Sequence, residues 1–435
     1  MYKKIKKYSI LACILFFVSC TPKTLTFFGQ LQELPGVISV DSIELDTNFV
    51  QQYELYFEQA LDHKNPKLGT FKQRVILSHA DTAQPVVAVL EGYRIWSGKS
   101  EELTNLLKGN QINIEHRFFK DSRPDSIPWD KLTIWQAATD QHKIINALKE
   151  LYQGKWVSTG ISKGGQATMF HRYFYPNDVD AGVAYVAPLN FEREDPRIYE
   201  FLATVGTDED RARIYDFQCL CFENFDELKA LLSKKSEEEN WSFEFGFKKA
   251  LEYTILEYSF AFWQWGKYTS DQIPLNADSA QVLFNHLNDV AGFTFFEDKS
   301  VEENRPFFWA ALTELGIYGY ETSQFSKYLG DTTNYTFDFT APKGIHPTFD
   351  TTKMRKVKEF LDSDVDHMLY ITGGLDTWGA TSYVPEGKNI SVKIALSDGH
   401  HGTRIRDFEK MYREYTYRLL EEWLEVEIED IYDGE

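Results

Sequence analysis

The sequence predicts an α/β fold: a mostly parallel sheet flanked by helices, interrupted by a large inserted helical lid domain. Three observations carry that prediction. Residues 85–90 are a continuous apolar run, as a strand buried on both faces should be, and 111–115 and 155–160 look like similar strands. Between the last two, 135–151 carries Ile144, Ile145, Leu148 and Leu151 on one helical stripe. From 191 to 345 the strand signals give way to helical ones, and the strand–helix alternation returns after 346.

The chain starts with a stretch that does not belong to the fold. Four lysines stand within 1–7, an apolar run follows over 8–18, and Ser19-Cys20 comes next. That order reads as an export signal, and the run is too short for a comfortable membrane span. Phe17-Val18-Ser19-Cys20 resembles a bacterial lipoprotein cleavage box, with Phe17 where leucine is commoner. On this reading 1–19 is a lipoprotein-type signal peptide and Cys20 carries the lipid. The protein would then sit in a bacterial cell envelope, lipid-anchored, periplasmic or on the outer membrane. An ordinary signal peptide or an uncleaved anchor is the alternative. Residues 20–50 read as a tether, 51–190 as the first part of the α/β domain, 191–345 as the lid and 346–435 as the second part.

Strands are expected at 53–57, 70–77, 182–186, 367–372 and 392–396, and helices at 165–175 and 406–424. In the lid, Asn224 with Glu227 resembles a capping box. Phe247, Leu251, Ile255, Tyr258 and Phe262 mark a long amphipathic helix.

With 43% hydrophobic and 26% charged residues, the 435-residue chain reads as globular and long enough for a sizeable core. Its net charge of -20, with no basic run in the body, argues against nucleic-acid binding. An acidic surface suits a cationic ligand such as a free α-amine. Cys219 and Cys221 are too close for an ordinary disulfide and lack a neighbouring histidine for metal, so they read as buried thiols.

Gly160-Ile161-Ser162-Lys163-Gly164 matches G-x-S-x-G and lies between an expected strand and an expected helix. That context is the one a nucleophile elbow requires, and it points to the α/β-hydrolase fold with Ser162 as nucleophile. A serine hydroxyl needs a base and an orienting acid, which in this fold follow in the order Ser, Asp or Glu, His. Asp376 ends the strand-turn Tyr370-Ile371-Thr372-Gly373-Gly374-Leu375-Asp376. After one more strand come Asp398-Gly399-His400-His401-Gly402. The Gly-x-His spacing favours His401 as base, with His400 as the alternative. His63, His116, His142 and His171 fall outside the order and read as structural. The oxyanion is expected to meet the Lys163 N–H and a second N–H from the loop holding Gly92 and Tyr93. No metal or cofactor is called for.

At this point a resemblance appears. Glu58-Gln59-Ala60-Leu61-Asp62-His63, Glu91-Gly92, Glu115-His116-Arg117-Phe118-Phe119, the Ser162 elbow, Trp309 with Thr313-Glu314-Leu315-Gly316, Leu375-Asp376-Thr377-Trp378 and the histidine pair run in order along the chain. Together they resemble the lysosomal Pro-X carboxypeptidase and dipeptidyl-peptidase family. They resemble still more the related bacterial tripeptidyl aminopeptidase family. Lys163 replaces an aromatic of the lysosomal enzymes, Thr377 often replaces a proline, and their disulfides are missing. The lysosomal pattern favours His400, the bacterial one His401.

The resemblance implies an exported serine exopeptidase that releases tripeptides or dipeptides from the N-terminus of oligopeptides, with preference for cleavage after proline. Its partners would be short peptide substrates, and the membrane through Cys20. Trp378, Trp309, Trp263, Trp265 and Phe262 are candidates to hold a proline ring. Glu257, Glu314 and Glu252 are candidates for the α-amine. Helix packing and a solvated helix face are the competing readings of these residues. An esterase or lipase of the same fold, and a non-catalytic surface binding protein, are the alternatives in function.

Overall fold

The computed structural model describes residues 25–387 and 389–433, so Cys20 and the expected export signal over 1–19 lie outside the described residues. Among the described residues, nine strands form one sheet. In chain order they are β1 Val37–Ser42, β2 Gln51–Ala60, β3 Thr70–His79, β4 Val86–Leu90, β5 Asn110–Ile114, β6 Trp156–Ile161, β7 Ala181–Tyr185, β8 Met368–Gly373 and β9 Ser391–Leu396. Their order across the sheet is β1-β2-β3-β5-β4-β6-β7-β8-β9. The first three strands, and β3 with β5, pair antiparallel. From β5 to β9 every pairing is parallel.

The central strands are buried at every position of β4, β5, β7 and β8; β4 accordingly reads as an unbroken apolar run, while β5 also buries Asn110, Gln111 and Asn113. The pleat sends alternate residues to opposite faces. Val86, Ala88 and Leu90 pack with Ile144, Ile145 and Leu148, while Val87 and Val89 share a core with Tyr417, Leu420 and Trp423. Two separate apolar layers therefore hold the sheet between helices.

Those helices are α1 Phe27–Gln32, α2 Glu102–Leu107, α3 Ile134–Lys149 and α4 Lys163–Phe174 before the insertion, with α11 Lys353–Ser363 and α12 Lys410–Leu424 after it. The inserted helices are α5 Pro196–Thr204, α6 Asp208–Glu223, α7 Phe225–Glu239, α8 Gly246–Trp265, α9 Ala280–Ala291 and α10 Asp298–Ala310. The insertion leaves the sheet at the C-terminal end of β7 and carries its own aromatic-rich core, with Phe217, Tyr258, Phe293 and Phe337 fully or almost fully buried.

Three expectations need correction. The tether over 20–50 is structured from Phe27: α1 packs on the fold and β1 forms the sheet edge against β2. Only Val40 of β1 is buried, so the strand is held by its backbone ladder and leaves no apolar period to read. Asn224 does not cap forward; its side-chain amide donates to the Leu220 carbonyl at 2.9 Å, because α6 runs directly into α7. Cys221 is buried, but Cys219 is only half-buried.

Candidate active site

The chemistry-bearing loops all leave the same edge of the sheet, past the C-terminal ends of β4, β6, β8 and β9. That edge is where α/β sheets place ligands. After β6 the chain turns sharply into α4, and Ser162 takes φ 57° and ψ -120°. A non-glycine residue in that region costs about 1–3 kcal/mol, a strain that functional sites retain. The turn is possible because Gly160 has no side chain: a Cβ there would lie 2.2 Å from the Gly164 carbonyl carbon.

Asp376 follows β8 and is fully buried. Its carboxylate accepts the Trp378 N–H at 3.1 Å and the His401 Nδ1–H at 2.7 Å. The second bond fixes the tautomer, leaving the His401 Nε2 lone pair free to accept a proton. His401 and Ser162 line one cavity of about 680 Å³. His400 turns away from it and donates from Nδ1 to the Trp263 carbonyl at 2.7 Å. The His401 N–H donates to the Gln264 carbonyl at 2.9 Å, and the Thr377 hydroxyl to the Phe260 carbonyl at 2.9 Å. Trp263 and Gln264 end α8, where helix carbonyls lack helical partners. The lid helix is thus bolted to both the acid and the histidine loops.

The loop after β4 presses against the start of α4. Lys163 Nζ donates to the Gly92 carbonyl at 2.6 Å, and burial holds its amine well below the ordinary lysine range. A neutral amine can sit there without an unpaired buried charge. Tyr93 faces the same cavity; burial raises its phenol, and a hydrogen bond with Ser162 opposes that rise. A Cβ on Gly92 would come 2.6 Å from both the Gly164 nitrogen and the Lys163 Cβ. Gly92→Ala must therefore push the loop off α4. We expect kcat to fall about 10²- to 10³-fold, the size of a lost oxyanion donor, with the fold retained by circular dichroism. Unchanged kcat would show that this loop does not touch the reacting atoms.

Glu257 reaches the cavity from the middle of α8 and is buried. The Tyr318 hydroxyl donates to it at 2.8 Å and the Tyr320 hydroxyl at 2.7 Å. Burial nevertheless pushes its carboxyl up to about 8. Trp378 lines the cavity as well, with its ring 5.2 Å from Phe260 and 5.4 Å from Tyr318.

Several expected substrate contacts are elsewhere. Glu314 is bound by Lys353 and accepts the Ile134 N–H at 2.8 Å, so it caps α3 and lies outside the cavity. Trp309 packs with Phe71, Phe118 and Leu132. Trp263 and Phe262 are in the lid core, and Glu252 accepts the Tyr335 hydroxyl at 2.9 Å. His63 pairs with Asp140, which also holds the buried Arg117, and His142 and His171 share Asp178.

Three acids received no role in the sequence reading, although Glu91 and Glu115 stand in its motifs. Glu91 lines the cavity, accepts from Asn113 at 3.1 Å and is pushed up to about 8 by burial. Glu115 accepts the Ile95 N–H at 3.1 Å and the Ser122 hydroxyl at 2.7 Å, steadying the β4 loop. Glu102 accepts the Ile405 and Arg406 N–H groups at 3.0 and 2.9 Å, fixing the segment that comes after His401. Nothing local marks Glu102, whose partners in that segment lie 303 and 304 residues away.

The arrangement can transfer an acyl group to a serine hydroxyl. Comparison with known proteins gives the class. The chain is 33% identical over 389 residues to the prolyl tri/tetrapeptidyl aminopeptidase of Streptomyces mobaraensis, covering 86% of this chain and 80% of that one. Similar solved structures include a proline iminopeptidase from Mycobacterium smegmatis (13% identity, TM-score 0.41, 85% of this chain and 98% of that one). Another is the 2-hydroxy-6-oxo-6-phenylhexa-2,4-dienoate hydrolase of Rhodococcus sp. strain RHA1 (12%, TM-score 0.38, 89% and 100%). Those two likenesses are loose and carry no argument about substrate. The sheet itself, with its elbow after β6 and its lid after β7, is that of an α/β hydrolase. Over residues 20–423 the sequence matches the family described as PS-10 peptidase S37, and the chain belongs to that peptidase family.

Proposed function

We propose that this protein is a serine aminopeptidase that releases short peptides, of two to four residues, from the amino terminus of oligopeptides by cutting after proline. One observation carries the reading: a single cavity holds Ser162, His401 and the buried Glu257. The similarity to a prolyl tri/tetrapeptidyl aminopeptidase supports the proline preference and the short product.

In this reading the substrate ammonium pairs with Glu257. Ser162 attacks the carbonyl of the proline as His401 Nε2 takes the hydroxyl proton. Asp376 holds the imidazole and stabilises its charged form. The Lys163 N–H and a donor from the Gly92–Tyr93 loop receive the oxyanion. His401 returns the proton to the leaving amine, and water then attacks the acyl-enzyme through the same base. Trp378, one of the cavity's three tryptophans and packed on Phe260 and Tyr318, would face the proline ring. The mature enzyme would be exported and lipid-anchored at Cys20, a placement resting on the sequence alone.

A peptide library with free and acetylated amino termini, read by mass spectrometry, tests the proposal. Products should be short amino-terminal peptides ending in proline. Acetylation should lower kcat/KM by about 10²-fold or more, the scale of an unpaired buried charge partner. Equal cleavage of blocked peptides would remove the aminopeptidase reading.

A further inference from the structure

The lining of the cavity runs from buried to exposed. Glu257, 4% exposed and held by two tyrosines, is at the buried extreme. At the other extreme, two indoles that line the same cavity stand in solvent: Trp96 is 70% exposed and Trp265 56%. They come from the two halves of the molecule. Trp96 lies on the loop after β4, and Trp265 is the last residue of α8.

Neither indole is loose. The Arg94 guanidinium lies over the Trp96 ring at 3.9 Å and reaches Glu303 on α10 at 3.4 Å. Trp265 stands edge-on to His401 with ring centres 5.5 Å apart, at a helix end pinned by His400 and His401. Large flat faces fixed at a cleft mouth, with little entropy left to lose, suit the binding of an extended chain.

We propose that Trp96 and Trp265 form the leaving-side subsite. They grip apolar side chains or proline rings of the residues just C-terminal to the cut bond. The inference rests on the aminopeptidase reading. With the amine at Glu257 and the carbonyl at Ser162, the rest of the substrate has to leave past His401, which protonates its nitrogen. Trp265 touches that histidine. Glu257 then measures the released peptide, and the indoles select the residues beyond the cut.

The test uses two substrates sharing a first tripeptide that ends in proline: a hexapeptide with apolar residues after the cut, and the tripeptide amide, which has nothing there. Trp96→Ala and Trp265→Ala should each lower kcat/KM on the hexapeptide about tenfold, mainly through KM, as loss of a tryptophan anchor does. For Trp96→Ala, whose ring packs on Arg94 and not on the triad, the tripeptide amide should change less than about twofold, and the rate of fluorophosphonate labelling should hold, as expected when only remote binding is removed. Equal losses on both substrates would place the indoles in the triad's support and overturn the subsite. An unchanged hexapeptide KM would overturn it too. If the wild-type enzyme cleaves the amine-blocked hexapeptide as fast as the free one, the aminopeptidase reading itself fails and takes the subsite with it. That result is visible before any variant is made.

Discussion

Alanine at Ser162 or at His401 is expected to lower kcat by about 10⁴-fold or more, and alanine at His400 by no more than about tenfold. The contrast comes from where the two rings point. His401 gives its Nδ1–H to a fully buried carboxylate and faces the cavity that Ser162 lines. His400 spends its Nδ1–H on the Trp263 carbonyl and does not line that cavity. Removing His400 leaves one helix-end carbonyl short of a donor, a loss of about 1 kcal/mol in stability. Thermal unfolding and fluorophosphonate labelling separate the cases. Ser162→Ala should not label, and His401→Ala should label very slowly. His400→Ala should label at nearly the wild-type rate with a lower melting temperature. An inactive His400→Ala enzyme with unchanged melting would move the base to the other ring.

The elbow was legible because its signal is local. Two glycines around a serine, a buried strand before and a helix after, are read within about twenty residues. The acid was legible for a similar reason: Asp376 lies just past a strand that is buried at every position. The direction of the histidine rings was not legible. His400 and His401 are neighbours on an irregular turn, and no periodicity says which ring faces inward. The same limit explains the lid. On α10, Phe307 and Phe308 line the cavity while Trp309 packs on the α/β body. Successive helix positions point about 100° apart, so one residue decides the matter. Just beyond, a π-helical turn over Ala311–Leu315 breaks the period, and Glu314 there reaches the start of α3. Among the three lid glutamates, only Glu257 reaches the cavity, and its pairing with Tyr318 and Tyr320 across 61 and 63 residues leaves no local trace.

Glu257→Gln tests the amine site, away from both the triad and the Gly92 loop. Gln keeps the shape and loses the charge. Free-amine peptides should lose about 30- to 5000-fold in kcat/KM, the roughly 2–5 kcal/mol of a broken buried charge pair, while fluorophosphonate labelling stays near wild type. The pH dependence separates a lost contact from a damaged fold. Burial raises this carboxyl to about 8, so the free enzyme holds it mostly protonated at neutral pH. An α-amino group titrates at about 8. Free-amine kcat/KM should therefore rise toward pH 8 as Glu257 ionises and fall above it as the ammonium loses its proton. The variant should lose the rise due to Glu257. Stability moves the other way. A carboxyl raised on folding supports the fold fully below its unfolded value of about 4.5, and that support is lost as pH climbs to about 8. Glutamine has no proton to hold, so the variant's melting temperature relative to wild type should increase between about pH 5 and 8. A variant that melts earlier at pH 8, or that cleaves free-amine peptides normally, would take the ammonium away from Glu257. The partner would then be Glu91, whose carboxyl lines the same cavity and is also raised to about 8.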